Sequence, residues 1–327
     1  MNMLTTSPAV SGEPVRGPRL RPNLRQSAVW FALAAAVLVA VAVAPSVVGL
    51  GNWPVLLRQA APLGLLALGQ TVLILGRGFD LSVGGVVGFV NVLAAGALAR
   101  EGGTLSVVLA CLAVGVVIGA VNGSMVAWGR VSPLVATLGT GFVLTGAMLI
   151  YTGGAPTGDV PAGIRGLSSG RFLGLSWGTY LWIAASLAVG LLLRFSWPGR
   201  WVYAAGSNPD AARLAGVRVP WVQFGSYILS SLCAVLGGLL VAGFVGTGTL
   251  GAGQELMMGS LAATVVGGTL LAGGKGGVSG TVGGAILLTV LSALLTGVGM
   301  GKAGNLLTQG IVILAAAALF RQRRVST

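Results

Sequence analysis

The stretch "GRGFDLSVGG", residues 76–85, separates two long apolar runs and carries Asp80, one of only six acidic residues among 327. The chain is 55% hydrophobic and 8% charged. A soluble domain carries about a quarter charged residues, so this composition excludes a water-facing surface and indicates a polytopic membrane protein. An acidic side chain at the bilayer centre costs about 2.5–3.5 kcal/mol even on insertion scales. It is kept only where it faces protein or water, or has a partner. Gly76, Gly78, Gly84 and Gly85 permit backbone conformations outside the helical region. The stretch therefore reads as a helix break lining an internal cavity, with Arg77, three residues earlier, as a partner for Asp80 at helical spacing. A blander and compatible reading has Asp80 cap the next helix by accepting backbone N–H bonds.

Apolar runs of about 20 residues cross a bilayer as helices. Ten lie along the chain, at roughly 27–49, 55–75, 81–99, 104–127, 132–151, 176–194, 220–246, 257–273, 279–299 and 304–320. Arg58, near the start of the second, marks its interface. The net charge of +13 would suggest nucleic acid only if it gathered on one solvated face. It lies between the spans instead, so no nucleic-acid partner is expected. With the N-terminus inside, fourteen of the nineteen basic residues fall on the inner side and five, Arg58, Arg100, Arg165, Arg171 and Lys302, on the outer. Basic residues accumulate on the cytoplasmic side. The expected fold is an all-α integral membrane protein of about ten transmembrane helices, at least one of them broken, with both termini cytoplasmic. Residues 1–26, rich in Pro, Ser and Arg, read as a disordered basic cytoplasmic tail, residues 27–320 as one membrane domain and residues 321–327 as a second basic tail. "AVAPS" near residue 45 resembles a cleavage site, but the apolar run before it is too long for a signal peptide. The first helix is therefore read as uncleaved.

Chemistry is sparse. There is no histidine, which removes the usual zinc sites, Ser-His triads and proton relays. "GTGTLG" at 246–251 matches a dinucleotide glycine pattern but closes a span rather than joining a strand to a helix. "AGGKGG" at 272–277 resembles a phosphate loop, yet Thr269 and Gly276 stand where that motif needs Gly and Ser or Thr. Cys111 and Cys233 fall within spans and read as small apolar residues. Gly115, Gly119 and Gly123 share one helical face, as expected for close helix packing in lipid. "GKGGVSGTVGG" at 274–284 is a weak echo of the opening stretch, the kind of internal repeat that transporters place at discontinuous helices.

One loop has a local code. In "YAAGSNPDAARLAGV", residues 203–217, Asn208 is placed to cap, Pro209 to open and Gly216 to close a short helix, with Asp210 in its first turn and Arg213 in its last. This amphipathic helix sits in the largest inner loop, about 194–220. It can serve a partner protein or rest on lipid.

Four segments, "LGQTVLILGRGFDLSVGG", "SPLVATLGT", "YAAGSNPDAARLAGV" and "VVGGTLLAGGKGG", occur in the order that resembles the permease subunits of ribose-type sugar ABC importers, over about 60–320. The resemblance implies a translocation subunit, not an enzyme, in the cytoplasmic (inner) membrane, importing a pentose, hexose or related polar small molecule. It implies a second permease subunit, two ATP-binding subunits that hold the ATP and Mg, an extracytoplasmic solute-binding protein, and surrounding lipid, with no cofactor on this chain. It makes Gly206, Asn208, Pro209, Asp210, Ala212, Arg213 and Gly216 the ATPase-coupling helix. Gln70, Asp80, Ser82, Asn91 and Asn122 are polar residues within spans and the candidates for the solute pathway. Two departures stand out: Met257 after "QEL", where the family commonly has an acidic residue, and Leu271 with Gly274, Lys275 and Gly276 where it has Ser and Gly-Arg-Gly. They bear on substrate and on docking of the binding protein. The rival reading is an ion-coupled secondary transporter using Asp80.

Overall fold

The structure, a computed structural model, describes residues 24–319. Among them the chain forms α1 (Leu24–Val43), α2 (Pro45–Val48), a 3₁₀ turn, α3 (Trp53–Leu75), α4 (Val83–Ala95), α5 (Ala97–Ala127), α6 (Pro133–Thr152) and α7 (Ala162–Ser169). A two-stranded hairpin, β1 (Arg171–Phe172) and β2 (Leu175–Ser176), leads into α8 (Trp177–Phe195), α9 (Trp197–Ser207), α10 (Pro209–Leu214), α11 (Val219–Val245), α12 (Gln254–Val266), α13 (Val278–Gly297) and α14 (Gly301–Leu319). Of the tail expected over 1–26, residues 24–26 already belong to α1. The rest of it, the tail at 321–327 and the last residue of the span expected at 304–320 lie outside the described residues.

The helices begin and end where local chemistry directs. Ser176 caps α8 by accepting from the Thr179 N–H at 3.1 Å. Pro133 and Pro209 sit in the first turns of α6 and α10, where a missing N–H costs nothing. α6 and α11 end on the left-handed glycines Gly153 and Gly246.

α3 is the axis of the bundle, and every residue from Leu63 to Leu75 is buried. α11, α12, α13 and α8 pack around it. The broadest helix pairing is α5 on α11, along the glycine stripe read from the sequence. A Cβ on Gly119 would stand 2.6 Å from Ile228 Cα, and one on Gly123 3.0 Å from Phe224 Cα. Small residues let the two backbones approach, which in lipid is the main source of helix association. The outside is apolar: Phe142, Ile150 and Leu187 on α6 and α8 are among the exposed large side chains. That face suits hydrocarbon and not water. Cys111 and Cys233 are buried and free.

Each expected span has a helix, several of them close to the expected bounds, such as Pro133–Thr152 and Trp177–Phe195, and two of them much shorter. Among the described residues six helices are long and apolar enough to cross a membrane: Leu50–Leu75, Gly103–Ala127, Pro133–Thr152, Trp177–Phe195, Val219–Val245 and Val278–Gly297. α4 and α12, expected over 81–99 and 257–273, have 13 residues each. That is about 20 Å of helix, against a hydrocarbon core of about 30 Å. Both adjoin a non-helical stretch, 76–82 before α4 and 267–277 after α12. The bundle therefore contains two broken elements, one long half and one short half in each: α3 with α4, and α13 with α12.

Candidate functional site

Asp80 lies in the first break and is fully buried. The chain leaves the helix at Gly76 and passes through Arg77, whose φ of 63° is in the left-handed region that a side chain disfavours by about 1–2 kcal/mol. The Asp80 carboxylate is then surrounded by donors. Its Oδ1 accepts the Ser82 N–H at 2.9 Å and the Ser82 hydroxyl. Its Oδ2 accepts the Ser230 hydroxyl of α11 at 3.1 Å. Ser82 Oγ in turn accepts from Asn122 Nδ2 of α5 at 2.9 Å, and Asn122 Oδ1 accepts from Thr140 Oγ1 of α6 at 2.6 Å.

The backbone of the break is held in the same way. Gln70 Nε2 donates to the Asp80 carbonyl, Tyr227 OH to the Phe79 carbonyl at 3.0 Å, and the Leu81 N–H to Thr137 Oγ1 at 3.0 Å. Four helices, α3, α5, α6 and α11, thus supply the groups that regular helix would have supplied from its own backbone, as buried polar groups require.

The structure brings Gln70, Asp80, Ser82 and Asn122 into this one network and leaves Asn91 out. Asn91 Oδ1 accepts from the Thr249 N–H at 2.6 Å and from Thr249 Oγ1 at 3.2 Å, tying α4 to the turn after α11. All five residues are fully buried, so the break is packed in this conformation and no open cavity reaches the Asp80 carboxylate. Gln70 Oε1 is buried with no partner, one acceptor left over in an otherwise satisfied network. Ser230, Thr140, Thr137 and Tyr227 were not foreseen. Each lies 56 or more residues from its partner in the chain, except Thr140, and nothing local marks them.

Arg77 does not pair with Asp80. Helical spacing gave that expectation, but α3 ends at Leu75, so the two side chains diverge. Arg77 Nε donates to the Gly206 carbonyl at 2.7 Å and its Nη2 to the Ser207 carbonyl at 2.9 Å. These are the last two residues of α9, immediately before α10. The second break meets the same place: the Gly274 N–H donates to the Leu75 carbonyl at 2.9 Å, and Tyr203 OH to the Gly276 carbonyl at 3.1 Å. Burial pushes the Tyr203 phenol above its ordinary value, which is already high enough to keep a phenol protonated at neutral pH. Gly206 sits at the centre, where a Cβ would lie 1.7 Å from Leu75 O and 2.8 Å from Gly274 N. No other residue fits there. The ends of both breaks and the end of α9 form a single junction.

α10 projects from that junction with the geometry its sequence encodes. Asn208 Oδ1 accepts the Asp210 and Ala211 N–H groups, each at 3.1 Å. Asp210 and Arg213 pair at 2.7 Å on the exposed face. Gly216, at φ 83°, reverses the chain, and the Val217 N–H closes back on Ala212 O at 2.9 Å. Ala212 faces inward, 4% exposed, and Leu214 points outward at 92%. Leu214 was not singled out from the sequence. Among the described residues no group of three or more His, Cys, Asp or Glu side chains gathers to hold a metal.

A family model described as "branched-chain amino acid transport system / permease component" matches residues 54–317. The ribose import permease protein RbsC of Escherichia coli (strain K12) is 35% identical over 290 residues, 87% of this chain and 90% of that protein. The galactose/methyl galactoside import permease protein MglC of Haemophilus influenzae is 33% identical over 316 residues, 90% of this chain and 94% of that protein. The autoinducer 2 import system permease protein LsrC of Salmonella typhimurium is 37% identical over 257 residues, 78% and 74% of the two chains. No solved structure gives a significant match.

Proposed function

The chain belongs to the branched-chain amino acid transport system / permease component family, and from that premise we propose that it is the membrane-spanning subunit of an ATP-driven importer for a sugar or related polar small molecule. It is a multi-pass protein of the cytoplasmic membrane, and its relatives named above are permeases for ribose, galactose and autoinducer 2. The neutral hydrogen-bonding groups of its buried network suit an uncharged polar cargo. In this reading the chain carries out no covalent step. ATP and its Mg belong to two separate ATP-binding subunits, a solute-binding protein delivers cargo from outside, and the permease acts as one of a pair. Ten membrane crossings with both termini in the cytoplasm place α9 and α10 on the side of the ATP-binding subunits.

The observation that carries the mechanism is the junction. α10 offers a partner the exposed Leu214 and the Asp210–Arg213 pair. Directly behind it, Arg77 and Gly206 fix the end of α9 to the end of α3, and Gly274 and Gly276 join it to the second break. A displacement of α10 by closing ATP-binding subunits would reach both broken helices at their non-helical ends. Those are the points where a few backbone torsions can change without unwinding a helix. Gln70, Asp80, Ser82 and Asn122 then act as the lock on the first break: their hydrogen bonds define one packing, and their exchange for bonds to solute or to a second packing defines the other. Asn91 holds the opposite end of α4. Import here is powered from outside the chain, and Asp80 is a structural anchor of the break rather than an ion-coupling site.

The test is uptake of radiolabelled ribose and galactose into proteoliposomes. Uptake should require ATP, a partner ATP-binding subunit and the solute-binding protein, and should survive ionophores that collapse proton and sodium gradients. Uptake abolished by those ionophores would overturn the reading.

A further inference from the structure

Between α8 and α13, bordered by Trp30 of α1 and Leu57 of α3, the surface opens into a groove of about 1190 Å³, larger than the roughly 300–1,000 Å³ of small-molecule pockets. α8 gives it one continuous face, from Thr179 through Trp182, Ser186 and Gly190 to Arg194. Fifteen residues of helix are about 22 Å long, most of the roughly 30 Å hydrocarbon core that α8 crosses, so the half of the face nearest Arg194 matches the acyl region of one leaflet. The walls are largely apolar, with Leu187, Leu191, Val282 and Ile286 among them.

The two ends differ. One is closed by Arg194 and Arg200. Each guanidinium lies over an exposed aromatic ring, Arg194 over Phe195 at 5.3 Å and Arg200 over Trp197 at 4.4 Å. The aromatic face orients the planar group and leaves its N–H edges free. Among the described residues neither arginine has a carboxylate partner, the Arg213–Asp210 pair being elsewhere. An apolar trough along a spanning helix that ends in two uncompensated guanidiniums has the charge pattern of an acidic lipid in reverse, and basic pockets between membrane helices recognise such headgroups.

We propose that this groove binds an anionic phospholipid, its acyl chains along α8 and its phosphate at the Arg194 and Arg200 end. Tyr203 belongs to the same end and donates to Gly276 O, so the bound lipid braces α8 and α9 against the start of α13 beside the junction. Binding itself does not depend on what the protein transports.

The full chain, purified in detergent with phosphatidylglycerol and phosphatidylcholine in equal amounts, would be examined by native mass spectrometry for lipid that survives gentle activation. Phosphatidylglycerol should be retained in roughly thirtyfold preference, the attraction expected of two basic residues. Arg194→Gln with Arg200→Gln should remove that preference, whereas Arg171→Gln, on the hairpin before the far end of α8, should not. Gly190→Leu, which fills the trough and keeps both arginines, should lower retention of either lipid. Equal retention of the two lipids by the unaltered chain, or a preference that persists in the double variant, would overturn the proposal. So would an intermolecular disulfide formed readily by Ser186→Cys in a Cys111→Ala, Cys233→Ala background, since a second copy would then occupy the groove.

Discussion

The two helix breaks share one topological role and are held by different chemistry. The first, at 76–82, is fixed by side chains: its own buried Asp80 carboxylate and Ser82, with a second serine, an asparagine, a glutamine and a tyrosine drawn from neighbouring helices. The second, at 267–277, is fixed mainly by backbone. Leu270 N–H donates to Lys275 O, and Gly273 N–H to Leu270 O, each at 2.9 Å. Gly268, Gly273, Gly274 and Gly276 all have positive φ. α12 and α13 close against each other where a Cβ on Gly280 would lie 1.7 Å from Gly267 O. A break fixed by side chains can exchange partners while the backbone stays in place. The glycine-backbone break has few side-chain partners to exchange, Tyr203 at Gly276 O among them, and behaves as a fixed corner or a hinge.

The largest effect is therefore expected at the second break. Gly280→Val drives a branched side chain into backbone on the facing helix and should destabilise the protein by about 3 kcal/mol or more, read as loss of a monodisperse peak and of cooperative thermal unfolding. Near-normal behaviour would mean that α12 and α13 separate easily, and the contrast between the breaks would fail. At the first break, Asp80→Ala strands the Ser82 and Ser230 donors and should cost about 2–3 kcal/mol, read from the unfolding midpoint. Asp80→Asn keeps an acceptor for Ser82 and should cost less than half of that while retaining ATP-driven uptake. A stable Asp80→Asn protein with no uptake would give the carboxylate charge a direct part in transport.

The junction between the breaks should respond in function before stability. Arg77→Lys keeps the charge but not the planar fork that reaches two successive carbonyls. Uptake should fall about tenfold, equivalent to about 1.4 kcal/mol of coupling, while ATP hydrolysis by the assembled complex continues. Parallel loss of both activities would mean that Arg77 supports assembly instead. The smallest effect belongs to Asn208→Ala, which removes the cap of α10 at a cost of about 1 kcal/mol. It should weaken co-purification of the ATP-binding subunit about fivefold, measured by titration, with the permease fold unchanged.

Legibility from sequence followed the range of the interactions. α10 was readable to the residue, because Asn208, Pro209, Asp210, Arg213 and Gly216 act on each other within one turn. The helix positions were readable from apolar runs, and the glycine stripe on α5 met α11 as its spacing implies. The end of α12 was not: "GGTLLAGG" prolongs an apolar run, and the left-handed Gly268 closes the helix, its N–H donating to Val265 O at 2.9 Å and the Thr269 N–H to Thr264 O at 3.2 Å. The Asp80 network was half readable. Polar residues inside spans named Gln70, Ser82 and Asn122, but Ser230 and Tyr227 are brought in by α11 from 148 or more residues away. Arg77 was assigned the wrong partner because an i, i+3 rule was applied across a helix end.

The most direct test of external power delivered through the junction is solute accumulation in proteoliposomes with and without the ATP-binding subunit, in the unaltered chain and in Arg77→Lys. ATP-dependent accumulation is expected only when the ATP-binding subunit is present, and should fall about tenfold in Arg77→Lys without loss of ATP hydrolysis. Uphill accumulation by this chain alone, driven by an ion gradient, would contradict it.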